Sequence, residues 1–158
     1  MKILVTSDTH GLKHKLIDLI TEYSQQVQMV IHLGDHHRDF SGLESTFPHL
    51  TLVAVGGTYD TDVDTEKILT LEKRKLLLLH GDRHGVKSGL DRLFYYAKEK
   101  QVDACLFGHT HFQTMFEREG ILFMNPGCMF APRDGSNGGY GIINITPEGE
   151  MTGEVIRL

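Results

Sequence analysis

The chain has 158 residues, 40% apolar and 23% charged, with a net charge of -5 when histidine is neutral. That length suits one domain, residues 1–158, with a full hydrophobic core. The acidic balance argues against non-specific binding to a nucleic-acid backbone or an anionic membrane, while leaving room for a nucleotide in a local pocket, and no apolar run approaches the length of a membrane span.

In chain order, residues 2–6 read as a buried strand. The opening run Met1–Val5 lacks the apolar segment and cleavage site of a signal peptide, which points to a cytoplasmic protein. Leu12, Leu16, Leu19, Ile20, Tyr23 and Val27 recur at helical spacing and predict a helix. Met29–Leu33 and Leu50–Val55 read as two further strands, so the first third predicts a βαβ unit with parallel pairing. Glu66–Leu71 and Lys75–Leu79 read as strands joined by the charged turn Glu72-Lys73-Arg74. Ser88, with Asp91 three residues later, predicts a capped helix whose buried face is Leu90, Leu93, Phe94 and Ala97. Asp103–Phe107 is another strand. Phe112–Leu158 alternates strands with Gly- and Pro-containing turns and is predicted to be largely antiparallel. The sum is an α/β fold with two sheets face to face and helices outside. Cys105 and Cys128 lack CxxC spacing and read as reduced thiols.

The polar residues that suit a metal fall just after the apolar runs. Asp8 and His10 follow the first strand, Asp35 the second, and Thr58 and Asp60 the third. His80 follows four leucines, and His109 and His111 follow Leu106-Phe107-Gly108. Ligand sites of open α/β sheets lie beyond the carboxyl ends of the strands, so five strand ends offer groups to one crevice. Carboxylates mixed with imidazoles suit Mn, Fe, Ni or Zn better than Ca. Asp8-x-His10 and His109-x-His111 are expected to present both members on one side of an extended segment. Glycines 11, 34, 57, 81 and 108 suit tight turns and close backbone approach. A lone DxH or HxH is a weak signal; the weight lies in their joint order. His36, His37 and Arg38, just after Asp35, could contact a substrate phosphate. His84 could line the pocket, and Arg133 could bind an anion. Asp60 could hold a ligand histidine or orient its loop.

These motifs together resemble the calcineurin-type metallophosphoesterase family, in particular its small bacterial YfcE/YsnB-like phosphodiesterase branch. The resemblance runs from Asp8-Thr9-His10 through Gly34-Asp35, Gly57-Thr58-Tyr59-Asp60, His80-Gly81 and Gly108-His109-Thr110-His111 to Asn125-Pro126-Gly127 and Pro132-Arg133. It implies a four-layer α/β/β/α sandwich of two mixed sheets flanked by helices. It implies two divalent cations, Mn2+ first, with Fe, Ni, Zn, Co or Mg as alternatives. Asp8, His10 and His111 would hold the first, His80 and His109 the second, with Asp35 between them. The implied activity is hydrolysis of a small organic phosphodiester or nucleotide-like substrate by a hydroxide activated between the cations, with Asp35, Thr58 and Asp60 in the catalytic set. Relatives of this size often form dimers or tetramers. Four positions depart from the family. Thr58 stands where an Asn ligand of the second cation is usual, and Tyr59 where many relatives carry a His that serves the substrate. Asp82 replaces a second His, and Cys128 a Ser. The alternative reading is a metal-binding interaction scaffold of the same fold, as in a eukaryotic retromer subunit.

Overall fold

The computed structural model describes residues 1–129 and 138–158. Pro132 and Arg133, singled out above, lie outside the described residues. The elements in order are β1 (Lys2–Thr6), α1 (Lys13–Tyr23), β2 (Met29–His32), the one-turn α2 (Leu43–Thr46), β3 (Thr51–Ala54), β4 (Glu66–Leu71), β5 (Arg74–Leu79), α3 (Asp91–Glu99), β6 (Ala104–Leu106), β7 (Gln113–Arg118), β8 (Ile121–Pro126), β9 (Gly139–Ile145) and β10 (Met151–Arg157).

They build two mixed five-stranded sheets, ordered β10-β9-β1-β2-β3 and β4-β5-β6-β8-β7. In the first, β1, β2 and β3 are parallel, and β9 runs antiparallel to both β1 and β10. In the second, β5, β6 and β8 are parallel, with β4 and β7 as antiparallel edges. The C-terminal part is therefore antiparallel as expected, except that β8 also pairs in parallel with β6.

Alternation of side chains along the strands sets the layers. Ile3, Val5, Met29 and Ile31 of the first sheet meet Leu76, Leu78, Leu106 and Met124 of the second in a central core. The intervening Leu4, Val30 and Ile142 pack outward against Leu16, Leu19 and Ile20 of α1. On the far side Leu77, Leu79, Cys105 and Phe123 pack against Leu93, Phe94 and Ala97 of α3. The order helix, sheet, sheet, helix is the predicted four-layer sandwich. Strands buried on both faces carry continuous apolar runs, which explains Lys-Ile-Leu-Val and the four leucines of β5.

Two local expectations are corrected. Ser88 does not cap α3; it ends a short 3-10 turn, Val86–Ser88, and Leu90 precedes the helix without a side-chain cap bond. The β4–β5 connection is tighter than the three-residue turn expected: Glu72 and Lys73 both have positive φ, a two-residue hairpin whose twist matches its strands, and Arg74 already pairs in β5.

Candidate metal centre

The residues after β1, β2, β5 and β6 converge. Asp8, His10, Asp35 and His111 place one ligand atom each within 4.8 Å of one another, and so do Asp35, His80 and His109. Asp35 belongs to both groups. His111 Nε2 lies 3.0 Å from Asp8 Oδ1 and 3.3 Å from His10 Nε2. His80 Nε2 lies 3.4 Å from Asp35 Oδ2 and 3.1 Å from His109 Nδ1. Neighbouring donors around a cation at about 2.1 Å stand roughly 3.0–3.4 Å apart. Asp8 Oδ1 and Asp35 Oδ1 are buried and accept no hydrogen bond, although buried carboxylate oxygens are ordinarily satisfied. Donor types, spacing and these two orphaned oxygens fit divalent cations held by Asp and His. Cys128 Sγ, with nitrogens of His10 and His111, forms a third such group, but its thiol donates to the Asp8 main-chain carbonyl at 3.1 Å.

The backbone corrects the expectation that Asp8-x-His10 and His109-x-His111 are extended. Asp8, His10, Asp35, His109 and His111 all have φ between 46° and 67°. Among the donors only His80 escapes the left-handed region, where non-glycine residues are uncommon and Asp and His comparatively tolerated. The side chains converge because the chain curls sharply after each strand. Such strain concentrates at functional sites. Gly57 and Gly108 serve a different need. A Cβ on Gly57 would collide with the Asp35 backbone nitrogen and Oδ1, and one on Gly108 would collide with Ser7 Oγ and stand 2.8 Å from Asp8 Oδ2.

Hydrogen bonds aim the donors. Asp8 Oδ2 accepts from Ser7 Oγ at 2.5 Å and from the His109 amide at 3.2 Å, leaving Oδ1 turned to His111. His80 Nδ1 lies 2.8 Å from the Leu33 carbonyl. A carbonyl only accepts, so Nδ1 carries a proton and Nε2 is the ring nitrogen turned to Asp35, the outer-shell arrangement usual for metal-binding histidines. Asn125, fully buried, donates to the Gly108 carbonyl at 2.8 Å and to Thr110 Oγ1 at 3.0 Å, and accepts from the Gly127 amide. It fixes the loop that carries His109 and His111. His32 Nδ1 accepts from the Gly34 amide, Nε2 then donates to Thr9 Oγ1, and Thr9 donates to Asp39. Ser7, the Leu33 carbonyl and the His32–Thr9–Asp39 chain carry no sequence motif. Asn125 had the Asn-Pro-Gly resemblance as its signal.

The electrostatics favour positive charge at the centre. Burial works to raise Asp8 and Asp35, but neighbouring imidazoles outweigh it. Asp8 titrates below its ordinary value, and His80 takes Asp35 down to about 2. His80 moves upward despite burial, because Asp35 and Asp8 hold its charge. Burial lowers His109, helped by His80 and Lys87.

The remaining predicted residues divide. Thr58 is exposed, and its Oγ1 is 3.5 Å from His109 Nδ1. Asp60 faces away from the donors: Oδ1 accepts from the His36 and His37 amides and Oδ2 from the Gly57 amide, all at 2.8–3.0 Å. It ties the loop after β3 to the loop carrying Asp35. His36, Arg38 and Tyr59 line one cleft of about 290 Å³ with Asp60, and the His36 ring is 5.4 Å from that of His10. His84 is not brought to the centre; its ring packs on Tyr96 at 4.5 Å beside α3.

Two facing mixed sheets with Asp and His donors gathered beyond the strand ends make the protein a candidate metal-dependent hydrolase. The family model for the calcineurin-like phosphoesterase superfamily domain matches residues 1–148, and the chain belongs to that family. It is 35% identical over 148 residues to "Probable metallophosphoesterase YsnB" of Bacillus subtilis, covering 92% of this chain and 85% of that protein. It is 27% identical over 149 residues to "Phosphodiesterase MJ0936" of Methanocaldococcus jannaschii, covering 80% and 83%. A solved Streptococcus pneumoniae structure, described as a predicted phosphoesterase, superposes with a TM-score of 0.79 at 24% identity, covering 99% and 97%.

Proposed function

We propose that this chain hydrolyses small phosphodiesters, organic or nucleotide-like, with two divalent cations, Mn2+ foremost, as a cytoplasmic enzyme. The observation that carries the reading is the position of Asp35, shared by both donor groups with one buried oxygen that accepts no hydrogen bond. Asp8, His10 and His111 would complete one position, and His80 and His109 the other. Bound there, divalent cations supply Lewis acidity toward the phosphoryl oxygens and a nucleophile at neutral pH.

The chain's own residues set the geometry. Asp35 spaces the two positions. The Leu33 carbonyl holds His80 in the tautomer that presents Nε2. Asp60 is a positioning residue, because its carboxylate is occupied by three backbone amides. Arg38 and His36, in the cleft beside Asp35, are the groups that would orient a phosphate oxygen or a polar arm of the ester. The phosphodiesterase named among its relatives supports a diester over a monoester. A metal-binding interaction scaffold would use the same donors, so metal-dependent turnover, and not metal content, separates it from the enzyme.

The test compares the parent with Asp35→Asn for bound metal per chain and for Mn2+-dependent hydrolysis of an aryl phosphodiester. Two cations and turnover in the parent, with both reduced in the variant, are expected. Metal-independent or absent turnover in the parent sinks the enzyme reading for this substrate class.

A further inference from the structure

Six large apolar side chains are exposed among the described residues, and two of them stand directly beside the centre: Tyr59 follows Thr58, and Phe112 follows His111. Phe112 is 43% exposed and is not an accidental loop tip. Its amide donates to Thr110 Oγ1 at 3.2 Å, and Thr110 is itself held by Asn125 at 3.0 Å. The loop that presents the metal donors therefore also presents this ring in a fixed place.

Phe112 lines a cleft of about 400 Å³ with Val86, Leu90, Phe107, Thr110 and the exposed Lys87. Its size falls within the usual range for small-molecule sites, which are mainly apolar with a few placed polar groups. The cleft borders the donor loop at Thr110, which lies between His109 and His111 in sequence. The cleft beside Asp35 is lined instead by polar and charged groups, among them His36, Arg38, Tyr59 and Asp60, so an apolar cleft and a polar one border different donor loops.

We infer that Phe112, Val86, Leu90 and Lys87 form the subsite for a planar aromatic arm of the phosphoester, an aryl group or a nucleobase. The ring would stack on Phe112 over the aliphatic floor, and Lys87 would face its electron-rich edge or an anionic substituent. Stacking on an aromatic side chain tolerates any flat π-system. The inference rests on the proposed function only in that phosphate is held at the metal centre.

The test is calorimetric binding of phenylphosphonate and methylphosphonate to the Mn2+-loaded protein. Phenylphosphonate is expected to bind about tenfold more tightly, as one stacked ring would give. Phe112→Ala is expected to bring the ratio near one, and Phe112→Tyr to preserve it. Thymidine 5'-monophosphate against deoxyribose 5-phosphate separates the sources: a matching preference indicates a nucleobase, and none indicates a simple aryl arm. Equal binding of the two phosphonates, binding of neither, or a ratio that survives in Phe112→Ala overturns the inference. Binding is read without turnover, so the subsite can stand if the Asp35 experiment finds no hydrolysis, and can fail while hydrolysis is metal-dependent.

Discussion

Thr58 Oγ1 stands 3.5 Å from His109 Nδ1, at the edge of the donor group formed by Asp35, His80 and His109. A hydroxyl there is a short, neutral donor where the resemblance leads one to expect an amide oxygen. An Asn side chain reaches one bond further and offers a stronger carbonyl donor. Thr58→Asn should bind the second cation more tightly, by roughly tenfold, or about 1.4 kcal/mol. Metal competition titrations check this; unchanged affinity and stoichiometry would mean that position 58 does not reach the cation.

Gly57 has an ordinary backbone conformation, so its requirement is purely one of space. An added methyl group would meet the backbone and carboxylate of Asp35. Gly57→Ala should therefore push away the side chain shared by both donor groups. Misplacement of a reacting group by about 1 Å can lower activity about 100-fold. We expect metal content to fall below two per chain and turnover to fall by that order, while circular dichroism stays that of a folded protein. Full metal content in a folded Gly57→Ala protein would remove Asp35 from its bridging place.

Much of this centre was legible in the sequence because the donors sit one to five residues beyond apolar runs that read as strands buried on both faces. That placement offers Asp8, His10, Asp35, His80, His109 and His111 together with Thr58 and Asp60, and the family resemblance selects the first six as donors. Their backbone follows from neither. Period-two spacing suggested extended DxH and HxH segments, whereas Asp8, His10, His109 and His111 take left-handed conformations set by contacts between loops far apart in sequence. Asp60 as a loop-orienting candidate and Asn125 within Asn-Pro-Gly are visible in the sequence, but their partners are not, for the same reason. The Asp60 carboxylate is consumed by amides 20 or more residues away as well as by its own loop, and Asn125 acts on Gly108 and Thr110 across two strands. No local pattern encodes such partners.

Asn125 gives a prediction that separates folding from metal binding. Asn125→Ala would leave the Gly108 carbonyl and the Gly127 amide without their buried partners. Each unsatisfied buried group costs about 1–3 kcal/mol, so a loss of roughly 2–6 kcal/mol in urea unfolding of the chelator-treated protein is expected. Outer-shell changes around metal ligands typically weaken binding about 10–100-fold, and the cation held by His109 should show it. A variant that loses stability while keeping parental metal affinity would show that Asn125 holds the sheet and not the donor loop.

His32 predicts the acid limb of stability. Burial pushes its pKa from 6.5 down to about 4, because the ring is enclosed and already committed as acceptor to Gly34 and donor to Thr9. The unfolded chain then binds a proton near pH 6.5 that the folded chain refuses until about pH 4. Stability from this group is complete above pH 6.5 and declines as pH falls toward 4, where the folded form also protonates. The span of about 2.5 units corresponds to roughly 3 kcal/mol. His10, His84 and His109 are displaced in the same direction, so the parent alone does not isolate His32. His32→Gln should be less stable than the parent at pH 7.5 yet lose less on acidification. Urea unfolding at pH 7.5 and pH 5 in the presence of chelator measures both. Equal losses in parent and variant would assign the acid limb to the other histidines.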